Sequence, residues 1–317
     1  MGPYALRRLL LLVPTLVGMS LLIFVMLRLL PGDVVDILLA GDQQVDTSQA
    51  KIALRRSLGL SDPLPVQYVR WVGDLLRGNP GISLRSGQPV GGLLLRALPV
   101  TLELAGLAVV IGTLLAVPLG VVSAVRRDTR FDFAARVAGL VGLSLPNFWL
   151  ATLALLVTSK AFGWVPDIVY INPLTDPLGN LKQMLLPAAA IAVQLVAIVM
   201  RMTRTTLLEV LGQDYIRTAR AKGARERIVV YRHALRNAFI PVLTVIGFQL
   251  GALLGGSAIM EVIFGLNGLG NTLVQAIFNR DYPLVQVAAL FIATVFVVIN
   301  LVVDLLYAVL DPRIRQG

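Results

Sequence analysis

The sequence predicts an all-α polytopic membrane protein with six transmembrane helices and a small helical extracytoplasmic insertion after the first. Three observations carry that expectation. Of 317 residues, 56% are drawn from AVILMFWYC and only 15% are charged, against roughly 25% charged in an ordinary soluble domain. Six stretches approach or exceed the ~20 mostly apolar residues that a spanning helix needs: Leu9–Leu30, Leu98–Val125, Val137–Thr158, Leu185–Met202, Phe239–Met260 and Val285–Val309. The segments between them alternate in their content of lysine and arginine.

Taken in order, the first span (within residues 1–30) follows Arg7 and Arg8 as a signal peptide would. Its apolar run is too long for a cleavable h-region, so it reads as a retained anchor. Residues 31–97 form the extracytoplasmic insertion. Asp46 with Gln49 reads as a capping box, and Leu54 and Leu58 lie one turn apart before Gly59. A second helix is expected from Tyr68, Val72, Leu75 and Leu76 on one face, ending near Gly78. Asn79–Pro89, rich in Gly, Ser and Pro, is an ordered loop or a linker. The insertion is either a structural lid or a docking surface for an extracytoplasmic partner. Residues 98–317 are a five-helix core that includes a loop at 203–238. The fourth of the six spans is the weakest, bracketed closely by Lys182 and Arg201 and interrupted by Gln194. Pro14, Pro118 and Pro146 fall inside spans, where a membrane environment tolerates them.

Charge sets the orientation. Segments including 126–136 and 201–238 hold seventeen lysines and arginines against six acids, and the alternate segments eleven against ten. Both termini are therefore expected in the cytoplasm, and the net charge of +10 is a topology signal with no bearing on nucleic acid. The chain has no cysteine and one histidine, His233, which argues against a metal site or a nucleophile–histidine relay. It lacks any Gly-Lys pair, so no phosphate-binding loop of the GxxxxGK[ST] type exists.

The most informative segment runs from Gln213 to Asn237. Two short helices flank Gly223, a residue that takes positive φ at little cost. In the first, Tyr215, Ile216 and Ala219 share a face and Asp214 is a candidate N-cap. In the second, Ile228, Tyr231 and Leu235 align, and arginines occupy much of the remaining surface. Composition alone also permits a basic hairpin lying on anionic lipid. His233 reads as a polar residue facing the cytosol.

This loop resembles the cytoplasmic loop of ABC importer permeases, whose pattern is Glu-Ala-Ala, three residues, Gly, nine residues, Ile-x-Leu-Pro. Gly223, Ala219 and Leu235 match, whereas Arg217, Thr218, His233 and Arg236 depart from it. The departures are similar to the variant of the dipeptide, oligopeptide and nickel permeases, D-Y-x-x-T-A-R-A-K-G followed by R-H-x-L-R-N-A. Leu30–Asp33, Leu58–Leu60, Leu143–Trp149 and Leu310–Arg313 look like the same subgroup.

The resemblance implies the type I ABC importer permease fold and an inner-membrane transport subunit for di- or oligopeptides, without enzymatic activity of its own. Its partners would be a second homologous permease, two ATPase subunits that carry ATP and Mg, and an extracytoplasmic substrate-binding protein. Asp214, Tyr215, Ile216, Arg217, Thr218, Ala219, Arg220, Lys222 and Gly223 would then be the ATPase-coupling helix. Tyr215, Ile216 and Ala219 would pack against the ATPase. Arg217, Arg220 and Lys222 would contact its groove or, alternatively, lipid phosphate.

Within the spans, Glu103 and Asp304 need a partner or a water-filled route. Asn147, Gln194, Gln249 and Asn300 are candidates to face a translocation path. Gly247, Gly251 and Gly255 repeat every four residues, suited to close helix packing within the chain or toward a partner. A proton-coupled secondary transporter using the two acids is the alternative function, though the halves of the chain show no inverted repeat.

Overall fold

Small side chains at four-residue spacing draw two long helices into the closest packing of the molecule. In the computed structural model, which describes residues 2–29, 52 and 61–310, Ala105, Ala108, Gly112, Ala116 and Gly120 lie buried on the helix Val90–Val125 (α3). They face Pro177–Leu211 (α6). A Cβ on Gly120 would lie 2.8 Å from the Met200 carbonyl oxygen, so only glycine admits this approach. The chain order is Gly2–Leu29 (α1), Leu64–Leu76 (α2), α3, Arg130–Ser144 (α4), Asn147–Phe162 (α5) and α6. There follow Asp214–Ala221 (α7), Leu235–Gly256 (α8), Ala258–Ile263 (α9), Leu269–Phe278 (α10) and Tyr282–Leu310 (α11).

Four of the six expected spans are single long helices, and one, the fifth, starts early and stops short. The third is not one helix. α4 and α5 meet at 99° where a straight Val137–Thr158 was expected. Pro146 disfavours helical backbone at the residue before it, and Leu145 is extended at φ −89° and ψ 128°. Thr129 caps the start of α4 by accepting from the Asp132 amide. The second span begins at Val90, eight residues before Leu98. The fifth stops at Gly256, and the chain then turns through α9 and α10, short helices that the hydropathy pattern did not separate.

The fourth span, the weakest in sequence, is the most buried of the long helices. Its polar residues have partners inside the protein. Gln183 donates to the Val169 carbonyl and accepts from the Ile171 amide, and Asn180 donates to the Ile171 carbonyl. A span surrounded by protein can keep polar groups that lipid would not accept.

At the end where α3 begins, α2 docks on α1. Phe24 meets Tyr68 edge-on at 5.5 Å and stacks on Trp71, while Arg28 covers the Phe24 ring at 4.9 Å and donates to Gln67. α2 ends at Leu76, near Gly78 as expected, where φ is +79°. Leu76, grouped by spacing with Tyr68, Val72 and Leu75, is instead 84% exposed. The Asn79–Pro89 segment is an ordered loop: Ile82 and Pro89 pair as a bridge, and Ser83 donates to the buried carboxylate of Asp281. The expected capping box at Asp46 and Gln49, and the Leu54–Gly59 turn, fall outside the described residues.

Candidate functional site

The basic hairpin begins at α7. Its N-cap is Gln213, not Asp214; Asp214 is the first helical residue, and its exposed carboxylate meets Arg217 at 3.3 Å. The helix ends in the hydrogen-bond pattern that a left-handed glycine permits. The Gly223 amide donates to the Arg220 carbonyl at 2.9 Å and the Ala224 amide to the Ala219 carbonyl at 3.2 Å, with Gly223 at φ +80°. Ala219 and Ala224 both pack against the same apolar cluster, which completes the motif. Arg220 bridges the turn to Glu226 with contacts of 2.7 and 3.1 Å.

One side chain roots the hairpin. Ile216 is fully buried among Leu207, Val229, Val230 and Ala234. Its packing is internal, which corrects the expectation that it meets an ATPase. Tyr215 lies 43% exposed, and its hydroxyl accepts from the Asn237 side chain at 2.8 Å. Asp214, Arg217, Thr218, Arg220 and Lys222 are exposed and give α7 a polar outer surface. The second leg is not an independent helix. Glu226–Ile228 runs into a π-helical turn, Val229–Ala234, and directly on into α8. Ile228 and Tyr231 are exposed and only Leu235 reaches the cluster, so the second apolar face expected from spacing does not form. An open hollow of about 1230 Å³ adjoins the hairpin, lined by Tyr215, Tyr231, Arg232, His233 and Arg236 among others.

The remaining candidates separate into pairs. At the bend between α4 and α5, Asn147 donates to Gln194 of α6 at 2.9 Å. Asn300 lies against Gly251, and Val303 against Gly247, so both glycines serve packing of α8 on α11 within this chain. Gly255 faces open space. Gln249 is half-buried on α8. Glu103 accepts from the Tyr170 hydroxyl at 2.6 Å. Burial, and then that bond, push the Tyr170 phenol well above its ordinary range, which keeps it a donor. The side chain of Asp304 lies outside the described residues. Among the described residues no three His, Cys, Asp or Glu side chains converge.

Three buried acids went unnoticed in the sequence. Asp132 is fully buried and accepts from Arg204 in bidentate fashion at 2.7 and 2.8 Å, and from the Asp128 amide. Glu261 is fully buried and accepts from Thr101, Ser257 and the Asn271 amide. Asp281 takes Ser83 and the Leu84 and Leu284 amides. Each ties segments that hydropathy treats as separate.

The family described as "Binding-protein-dependent transport system inner membrane component" matches residues 116–316, and its N-terminal counterpart matches residues 1–105. The dipeptide transport system permease protein DppB of Alkalihalophilus pseudofirmus is 41% identical, covering 98% of this chain and 99% of that protein. The di/tripeptide transport system permease protein DppB of Pseudomonas aeruginosa is 42% identical over 98% of each. The oligopeptide transport system permease protein AppB of Bacillus subtilis is 37% identical over 99% of this chain and all of that one. Among solved structures, an inward-facing MetNI methionine ABC transporter aligns with a TM-score of 0.59 at 19% identity, over 70% of this chain and 98% of its own. That likeness concerns the fold.

Proposed function

The chain belongs to the inner-membrane components of binding-protein-dependent transport systems, and from that premise we propose that it is a permease subunit of an ATP-driven importer for di- or oligopeptides. The substrate class follows the relatives named above. The observation that supports coupling is the construction of the hairpin. α7 is pinned by Ile216, presents an exposed polar face, and is joined by the Gly223 turn to a second leg that runs through Glu226–Ala234 into α8 without a break.

In this reading a second homologous permease completes the pathway. Two ATPase subunits, which bring ATP and Mg, receive the Asp214–Gly223 hairpins, and an extracytoplasmic binding protein delivers the peptide. Arg217, Thr218, Lys222 and the exposed edge of Tyr215 face the ATPase. Ile216, Ala219 and Gly223 hold the shape of the contact from inside. When the ATPases close, displacement of α7 passes through the packing of Ile216 on the second leg to α8 and, through Gly247 and Gly251, to α11. The hairpin and both termini lie in the cytoplasm, as the excess of basic residues on that side indicates.

The test is uptake by vesicles that hold this chain, its companion permease and the ATPases, with loaded binding protein outside and ATP inside. Peptide should accumulate only with all components and ATP. Accumulation driven by a proton gradient without ATP would favour the secondary-transporter alternative.

A further inference from the structure

At the end of the bundle remote from the hairpin, a cavity of about 490 Å³ lies between the 79–89 loop, α3, α10 and the start of α11. Four carboxamides line it at a strict interval: Asn267, Asn271, Gln275 and Asn279. Residues four apart share one face of a helix, and α10 runs from Leu269 to Phe278 with Asn279 as its C-cap. The opposite requirement, packing, is met by Leu269, Leu273 and Ala276 against α3 and α11. The exposed amides are therefore not needed to hold α10 in place. Asn271 is mostly buried and fixed, donating to the Leu266 carbonyl at 2.9 Å and accepting from the Gln275 side chain at 3.5 Å; Asn267, Gln275 and Asn279 are exposed.

The charge in the same cavity is positive. Arg85 and Arg96 line it, both are exposed, and among the described residues neither guanidinium has a carboxylate partner. The acid on the wall, Asp281, is buried and already accepts from Ser83 and the Leu84, Arg85 and Leu284 amides. A row of neutral carboxamides, each both donor and acceptor, presents the same chemistry as a peptide backbone and is indifferent to side chains. A free guanidinium beside that row suits a carboxylate.

The geometry points to a peptide subsite here, in which the α10 amides take the backbone of a short peptide and Arg96 its terminal carboxylate. This rests on the importer reading above and adds to it a place of contact and a basis for accepting many sequences. The helical part of the row, Asn271 to Asn279, spans roughly 12 Å at 1.5 Å per residue. An extended peptide of about three or four residues covers that length.

The test uses the complete importer in vesicles, with trialanine and trialanine amide as probes. Each is presented with the binding protein, whose own preference is common to every variant and cancels in comparison with wild type. Arg96→Gln should lower trialanine uptake by about tenfold, the scale of a lost charge-assisted hydrogen bond, and leave trialanine amide uptake unchanged. Gln275→Leu should lower both to a similar, smaller extent. An acid-to-amide uptake ratio in Arg96→Gln equal to that of wild type overturns the subsite, whatever happens to total uptake. If wild-type vesicles take up neither probe while loaded binding protein still stimulates ATP hydrolysis, the peptide reading fails, and the subsite with it.

Discussion

Gly223 is where a single methyl branch should disconnect the hairpin from its span. At φ +80° the residue sits in the left-handed region, which costs an L-residue roughly 1–2 kcal/mol, more for a β-branched side chain. Space is not the obstacle, because a Cβ there would meet no heavy atom within 4 Å. The penalty is thus one of backbone conformation, and it falls on the turn alone. Because ~1.4 kcal/mol is tenfold in an equilibrium, Gly223→Val should reduce the population of correctly turned hairpin by about tenfold or more. Ile216 and the α8 packing remain, so the protein should insert and fold. Gly223→Asn should come close to wild type, since asparagine tolerates this region, and Gly223→Ala should fall between. The assay is peptide uptake and binding-protein-stimulated ATP hydrolysis in reconstituted vesicles, alongside the amount of assembled complex. The expected order is Gly, Asn, Ala, Val. Full uptake by Gly223→Val would refute the reasoning. So would an asparagine variant as poor as valine, which would make bulk, not φ, the determinant.

Asp132→Ala leaves the Arg204 guanidinium, 17% exposed, without its bidentate partner, and should cost about 3–5 kcal/mol. Thermal unfolding in detergent would register this as a fall in Tm, and replacing both residues by apolar ones should recover much of it. Gly247→Ala should destabilise the isolated chain by roughly 1–3 kcal/mol through overpacking against Val303, whereas Gly255→Ala, facing open space, should leave its Tm unchanged. Equal Tm values for the two variants would contradict the packing described. For topology, single cysteines at Thr47, Lys222 and Gln316 in this cysteine-free chain should react with an impermeant thiol reagent outside cells only at position 47. Labelling at 222 would invert the assignment.

The hairpin was legible because its signals are local. A turn glycine, an i, i+3 apolar pair and a cationic outer face all fall within about ten residues of one another. The bend at Pro146 was visible as a proline, yet tolerance of proline inside membranes pointed to a continuous span. What decided otherwise was the extended Leu145 and the Asn147–Gln194 bond, which needs α6 in place. Ile216 was recognised as apolar, but whether it faces inward or toward another protein depends on Leu207 and Val230, which no short window contains. The three buried acids were hidden for the same reason. Asp132 finds Arg204, Thr101 finds Glu261 and Ser83 finds Asp281 at separations of 72, 160 and 198 residues. In a linear reading each acid lies outside the six apolar spans and resembles an ordinary solvated charge.

The bent pair also bears on the parity of the chain's passage. Its legs of 15 and 16 residues reach roughly 22 and 24 Å at 1.5 Å per residue, each short of a hydrocarbon core about 30 Å thick. Neither leg crosses alone. Yet Asp132 at the start of α4 is bonded to Arg204 near the end of α6, while Tyr170, beyond α5, is bonded to Glu103 near the start of α3. The pair carries the chain from one end of the bundle to the other, which matches the one crossing that the six-span topology proposed above assigns to it. With that topology, a probe confined to one compartment should meet the first turn of α1, the Gly223 hairpin and the last turn of α11 together, or none of them.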